Sequence, residues 1–333
     1  MKKRYYVFAC MALWPAFVMA QSSVTVYGHI DVGYGASNDG MYEKFHGKQD
    51  SFQQVGSAYF TSYWGLKGSE DLGNGYAINF RLEHSFNPED GTSNGNGFDR
   101  FAYVGVSAPW GTIRAGLQQP LIAPVIGIYD VTYAPNMSSA LGNVGLSAYA
   151  QKYGNTFYSR VSSSLQYETP EMAGFRLYAE YASKNDEVGL NNQGHRAIYS
   201  LAASYRYGGF QAAIAYESKP TPSAGAAWGT GVQYDFGSFV LSGSYFDNHL
   251  REDGKGFSLG FRVPMQAWTF GAQIARNIDA PEGKPTAWEI FCYYNLSKRT
   301  MLYAQYGGIN SSAKKFIEAS RKSSITFGLS HHF

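Results

Sequence analysis

Five basic side chains, Lys67, Arg81, Arg100, Arg114 and Arg160, fall where alternation along extended segments puts them on one face, together with Asp31, Glu83 and Tyr63. A row of cations on a wetted wall attracts small anions and breaks no bonds. Hydrolysis would require a nucleophile with a base within hydrogen-bond reach. His84-Ser85 is the tempting pair, but adjacent residues of a strand face opposite sides, so the two cannot meet. His331-His332 fails as a metal pair for the same reason. Asn94-Gly95-Asn96-Gly97, with Asp90 and Asp99, has the look of a calcium loop but lacks the regular acidic spacing and closing glutamate of one. A flexible connection accounts for it better. The sequence offers no positive sign of an enzyme, a metal or a cofactor.

Composition limits what can position those cations. Of 333 residues, 16% are charged, well under the ~25% of ordinary soluble domains, while 17% are aromatic and 38 are Gly. That profile belongs to a strand-rich, turn-rich chain and excludes disorder. Mean hydropathy is mildly negative, which excludes a bundle of membrane helices, each needing ~20 apolar residues. Met1-Lys2-Lys3-Arg4 followed by the uncharged, mostly apolar Tyr5–Ala20 reads as an export signal cleaved after Ala20. Cys10 lies within the apolar stretch rather than at its end, which argues against a lipid anchor. Cleavage leaves residues 21–333, with 27 − 3 = 24 basic against 25 acidic side chains, so nucleic acid is not an expected partner. Cys292 is then the sole cysteine, and no internal disulfide can form.

Side-chain alternation runs to the end of the chain. Tyr76, Ile78, Phe80 and Leu82 alternate with Ala77, Asn79, Arg81 and Glu83; Ile325, Phe327 and Leu329 alternate with Ser324, Thr326 and Gly328. Period two means one apolar and one polar face. Connections alternate between short, as at Asp71–Gly75 and Pro109–Gly111, and long and polar, as at Ala36–Ser57 and Phe86–Phe98. The segments between them predict sixteen antiparallel strands in a closed transmembrane β-barrel, with short periplasmic turns and long outer loops. Closure matters because backbone groups facing lipid have no other partner. Aromatic residues near the strand ends, Tyr27, Trp64, Tyr103, Trp110, Tyr167 and Trp268 among them, are expected to form girdles at the two membrane interfaces.

Ser23-Val24-Thr25-Val26-Tyr27-Gly28-His29-Ile30-Asp31 resembles the first strand of general porins of Gram-negative bacteria, in particular the β-proteobacterial subgroup. Trp64–Gly73, Ala102–Val106 with Trp110-Gly111-Thr112, and the terminal Phe333 resemble further segments of that family. The resemblance implies an outer-membrane homotrimer of water-filled barrels, lodged among lipid and lipopolysaccharide and passing ions and small hydrophilic solutes. It implies a third outer loop folded inward as a constriction, here residues 119–159, and a last strand ending at Phe333 that the barrel assembly machinery reads. Wall arginines opposite loop acids are a family feature; Arg100 and Arg160 match the wall, and both should sit at similar heights. Tyr63 and Leu117 stand where family members carry arginine, and Asp130 is the loop's only carboxylate. These residues predict a general diffusion pore with mild anion preference. A substrate-specific channel, for a sugar for example, is the alternative, with Tyr59, Tyr63, Tyr178 and Tyr293 facing inward as an aromatic slide. An adhesin or outer-membrane enzyme has less behind it.

Overall fold

The computed structural model describes residues 23–36, 53–93, 97–133, 137–146, 151–153, 156–158, 160–184, 196–219, 225–247 and 254–333. The export-signal expectation over residues 1–20 lies outside them. Nineteen strands occur among the described residues: β1 Ser23–Ala36, β2 Gln53–Gly56, β3 Tyr63–Gly73, β4 Tyr76–Ser85, β5 Phe101–Ala108, β6 Gly111–Gln118, β7 Gln151–Tyr153, β8 Thr156–Tyr158, β9 Val161–Glu168, β10 Phe175–Ala182, β11 Ile198–Tyr207, β12 Phe210–Glu217, β13 Ala227–Asp235, β14 Val240–Asp247, β15 Lys255–Met265, β16 Trp268–Asn277, β17 Thr286–Asn295, β18 Thr300–Ile309 and β19 Ser323–His332. Seventeen of them form the wall of a closed antiparallel barrel of sixteen strand positions, β2 and β3 sharing one position; β7 and β8 make a separate hairpin within the third outer loop.

Apart from β2, which among the described strands pairs with β1 alone, the wall strands pair in chain order, β6 passing to β9, and β1 meets β19 to shut the ring. Gly28 N donates to Phe333 O at 3.2 Å and Phe333 N to Gly28 O at 3.1 Å, so the last residue completes the seam. Neither the first nor the last strand then has a free edge facing lipid. At the narrow turns the sequence chooses residues that tolerate left-handed backbone: Asn74 (φ 53°) and Gly75 (φ 79°) join β3 to β4.

The second wall strand is interrupted. Along the lower half of β1, Ser23–His29 pair with β3, whereas Val32–Gly35 pair with β2. Between β2 and β3, residues 57–62 leave the wall and carry Ala58, Tyr59 and Phe60 into the barrel. Ser57, at φ 58°, starts this detour. Alternation gave no sign of it, because the segment is not a strand.

The two faces differ as the period-two pattern requires. Leu201, Ile214, Leu259 and Ile290 are half exposed on the outside, where lipid covers them. Inward residues divide the lumen. From β11 to β17 the inner face carries many small residues, with Ala202, Ala213, Ala215, Ala227, Ala275 and Ala287 all buried. Against these pack Ile122, Val125, Ile126, Tyr129, Leu141, Val144 and Leu146 of the third outer loop. That loop folds inward and fills one side of the barrel.

Candidate functional site

Seating the loop leaves a passage bounded by β1, β3–β6 and β9, and the basic side chains line it. The loop is fixed by wall groups that satisfy its backbone. Glu180 Oε2 accepts from Leu121 N at 3.1 Å, and Glu289 Oε1 from Ala140 N at 2.8 Å. Ser242 Oγ donates to Tyr129 O at 2.6 Å, Asn277 Nδ2 to Val144 O at 3.1 Å, and Gln166 Nε2 to Gln119 O at 2.6 Å. Glycines on the wall admit the loop side chains: a Cβ at Gly231 would lie 2.1 Å from the Tyr129 ring, and one at Gly260 2.8 Å from Val131. From the detour, Ala58 O accepts Met137 N at 3.0 Å and Tyr59 OH donates to Thr132 O at 3.2 Å.

On the facing wall, Arg81 and Arg100 share one buried acid. Glu83 Oε1 accepts from Arg81 Nε at 2.8 Å and from Tyr27 OH at 2.7 Å, and Oε2 accepts from Arg100 Nε at 3.1 Å. Glu83 is fully buried, so two guanidinium groups are held by one carboxylate and the cluster keeps net positive charge. Arg160 Nε donates to Arg100 O at 2.5 Å, which puts these two side by side. Burial, and then Arg100 beside it, pull the Arg160 guanidinium down to about 9, still protonated at neutral pH. Rings brace each cation: Arg81 lies 4.0 Å over Phe101, Arg160 5.0 Å over Phe101, and Arg100 4.5 Å over Tyr63. Nearer the short turns, Lys67 lies 4.6 Å over Tyr27, and Arg114 pairs with Glu168 at 2.9 Å.

The acids are withdrawn from the water path. Asp31 is fully buried, accepting from Tyr59 N at 2.9 Å and Tyr303 OH at 3.2 Å. Asp130 is turned into its own loop, accepting from Thr132 N at 3.0 Å and Thr132 Oγ1 at 2.7 Å. Burial pushes its carboxyl up to about 6. Asp130 is thus not an acid set out on the loop surface opposite the arginines.

Several sequence readings are corrected. Strict alternation along β5 turns Phe101 and Tyr103 inward, because they pair with Glu83 and Arg81. Arg100 therefore does not reach the lumen by parity; it precedes β5 and its side chain turns in to Glu83. Leu117 pairs with Ala102 on the outer face, and Gln118, buried, is the inward residue there. Tyr27 and Tyr103 stand among the lumen cations and not in an interfacial girdle, whereas Tyr167 and Trp268 remain outside. Tyr293 is buried, packed 5.3 Å from Tyr59, and Tyr178 packs against the loop cluster. These tyrosines hold the loop and do not make a slide beside water. His84 and Ser85 do not pair with each other; Asp99 accepts from Ser85 N at 2.7 Å and lies 3.3 Å from His84 Nδ1, while Ser93 Oγ is 2.7 Å from His84 Nε2. This clasp on the outer rim holds the second outer loop against β4. Among the described residues no His, Cys, Asp and Glu cluster could hold a metal ion.

A closed sixteen-stranded barrel with an inward loop and a polar passage beside it is a transmembrane pore. The Gram-negative porin family model matches residues 7–314, and the chain belongs to that family; it is an outer-membrane porin. Over the full length of both chains it is 26% identical to an outer membrane porin protein of Bordetella pertussis. It is also 28% identical to outer membrane porin protein 32 of Delftia acidovorans, over 91% of this chain and 88% of that one. The anion-selective porin from Comamonas acidovorans superposes with a TM-score of 0.72 at 22% identity, over 94% of this chain and all of that one. The family and these relatives are channels, not enzymes.

Proposed function

We propose that the pore passes ions and small hydrophilic solutes by passive diffusion, with a mild preference for anions. The observation that carries this reading is the charge at the constriction: Arg81 and Arg100 share one buried carboxylate, with Arg160 beside Arg100, while Asp31 and Asp130 are buried away from the passage. In a narrow wet pore such a cluster raises the local anion concentration, most visibly when the Debye length exceeds the pore radius, at ~0.01–0.1 M salt. The related Comamonas protein is described as anion-selective, which supports the same reading. Burial of Tyr293 under the loop weakens the sugar-channel alternative. We infer as well that the working unit is a homotrimer seated in lipid and lipopolysaccharide, and that Phe333 is where the barrel assembly machinery reads the last strand.

Planar-bilayer recording of purified, unheated protein tests diffusion against specific transport. Current linear with voltage and undiminished by neutral sugars is expected. Saturable block by one sugar would overturn the general-pore reading.

A further inference from the structure

The constriction is not the only feature of the basic wall. At the short-turn end a cavity of about 750 Å³ opens between Lys67, Arg81, Arg114, Tyr27 and Tyr103. Its volume is in the range of small-molecule sites. Strand register builds it: Thr25, Lys67, Arg81 and Tyr103 lie in one cross-strand row, and Ser69, Asn79, Gly105 and Arg114 in the next. Gly105 lets Arg114 lie across the wall, since a Cβ there would come within 2.9 Å of Arg114 Cγ. Cations and rings therefore alternate around one space. Lys67 sits over Tyr27 at 4.6 Å and Arg114 over Tyr103 at 5.9 Å, with Arg81 between them.

The two ends differ in free charge. Arg114 is paired with Glu168, and Arg81 with Glu83. Lys67 is exposed and, among the described residues, has no carboxylate within 4.0 Å. An entering carboxylate finds an uncommitted ammonium at that end and phenol rings and a guanidinium beside it. We propose that this vestibule is a retention subsite for aromatic carboxylates, with Lys67 holding the carboxylate and the solute ring lodged among Tyr27, Tyr103 and Arg81. The inference rests on the anion-passing reading above and adds a solute class to it: an aliphatic acid of equal charge gains the ammonium but not the stacking.

Single-channel current in potassium chloride tests it, with benzoate or cyclohexanecarboxylate added on the short-turn side. Only inserted channels are recorded, so a variant that folds poorly gives fewer channels without altering the block of each. Benzoate should interrupt the current saturably, at a concentration about tenfold lower than cyclohexanecarboxylate. Lys67→Gln should weaken block by both acids, and Tyr103→Leu should bring the two acids close together. Equal block by the two acids in the unmodified protein would overturn the subsite, as would block by benzoate that Lys67→Gln leaves unchanged. The zero-current potential in a chloride gradient is read from the same channels without either acid. Cation preference there would sink the anion-passing reading, whereas anion preference with no benzoate block would sink the subsite alone.

Discussion

Glu83 decides the charge of the passage. One carboxylate, fully buried, accepts from Arg81, Arg100 and Tyr27, and its removal would leave two guanidinium groups facing each other without a shared partner. Glu83→Gln should therefore strengthen anion preference and lower stability by about 1–3 kcal/mol, read from denaturant unfolding in detergent. Unchanged selectivity would show that this acid does not offset the wall cations. Asp130 makes the opposite kind of prediction. Burial holds its carboxyl up at about 6 against 3.8 for the free group, so the folded loop binds a proton more tightly than the unfolded chain does. The sign follows: the seated loop gains stability as pH falls through about 6, gains no more below about 4, and loses that contribution as pH rises. Open-channel noise should fall between pH 7 and pH 4.5, and Asp130→Asn should remove most of that dependence. Noise rising on acidification in the unmodified protein would contradict it.

At the scale of the elements, the third outer loop narrows the passage because the wall was made small beneath it. Gly231 faces the ring of Tyr129, and no side chain larger than hydrogen fits between them. Gly231→Val should unseat the loop at a cost of about 1–3 kcal/mol and raise single-channel conductance. A variant with wild-type conductance would show that the loop is held without that contact. The direction of the residues that make this seat follows from alternation, since Ala213, Ala215, Gly229 and Gly231 fall on what period two marks as the polar face. That a loop packs on them does not follow from alternation, and the inward loop is expected only from the family resemblance. Arg81, Arg114 and Lys67 were legible too, since they lie within regular strands and obey alternation. Arg100 and the detour at 57–62 were not. Arg100 precedes its strand, so alternation says nothing of its direction; Leu117 follows the parity of β6 outward, and only the family resemblance links it to a wall arginine. The inward course of residues 57–62 depends on contacts with Met137 and Thr132, far along the chain, which no local pattern records. The place of Tyr27 and Tyr103 is not legible this way, because an aromatic ring near a strand end suits a lipid interface and a cation-lined lumen equally well.

For the whole molecule, closure is the organising fact. The seam joins β1 to β19 through Gly28 and Phe333, and every wall strand but the short β2 pairs on both sides. A barrel of this kind resists detergent, so unheated protein should run on a denaturing gel as a compact trimer and, after boiling, as a slower band near the mass of one chain. Identical mobility before and after heating would count against the trimer. Deleting Phe333 should reduce the amount of inserted protein far more than the conductance of each channel that does insert, and normal surface levels would refute that. The charge imbalance of the passage is read as the zero-current potential of the unmodified pore in a potassium chloride gradient. Anion preference is expected, stronger at ~0.01–0.1 M salt than at ~1 M, and lost or reversed in the Arg100→Glu/Arg160→Glu double variant. Clear cation preference in the unmodified protein would contradict it.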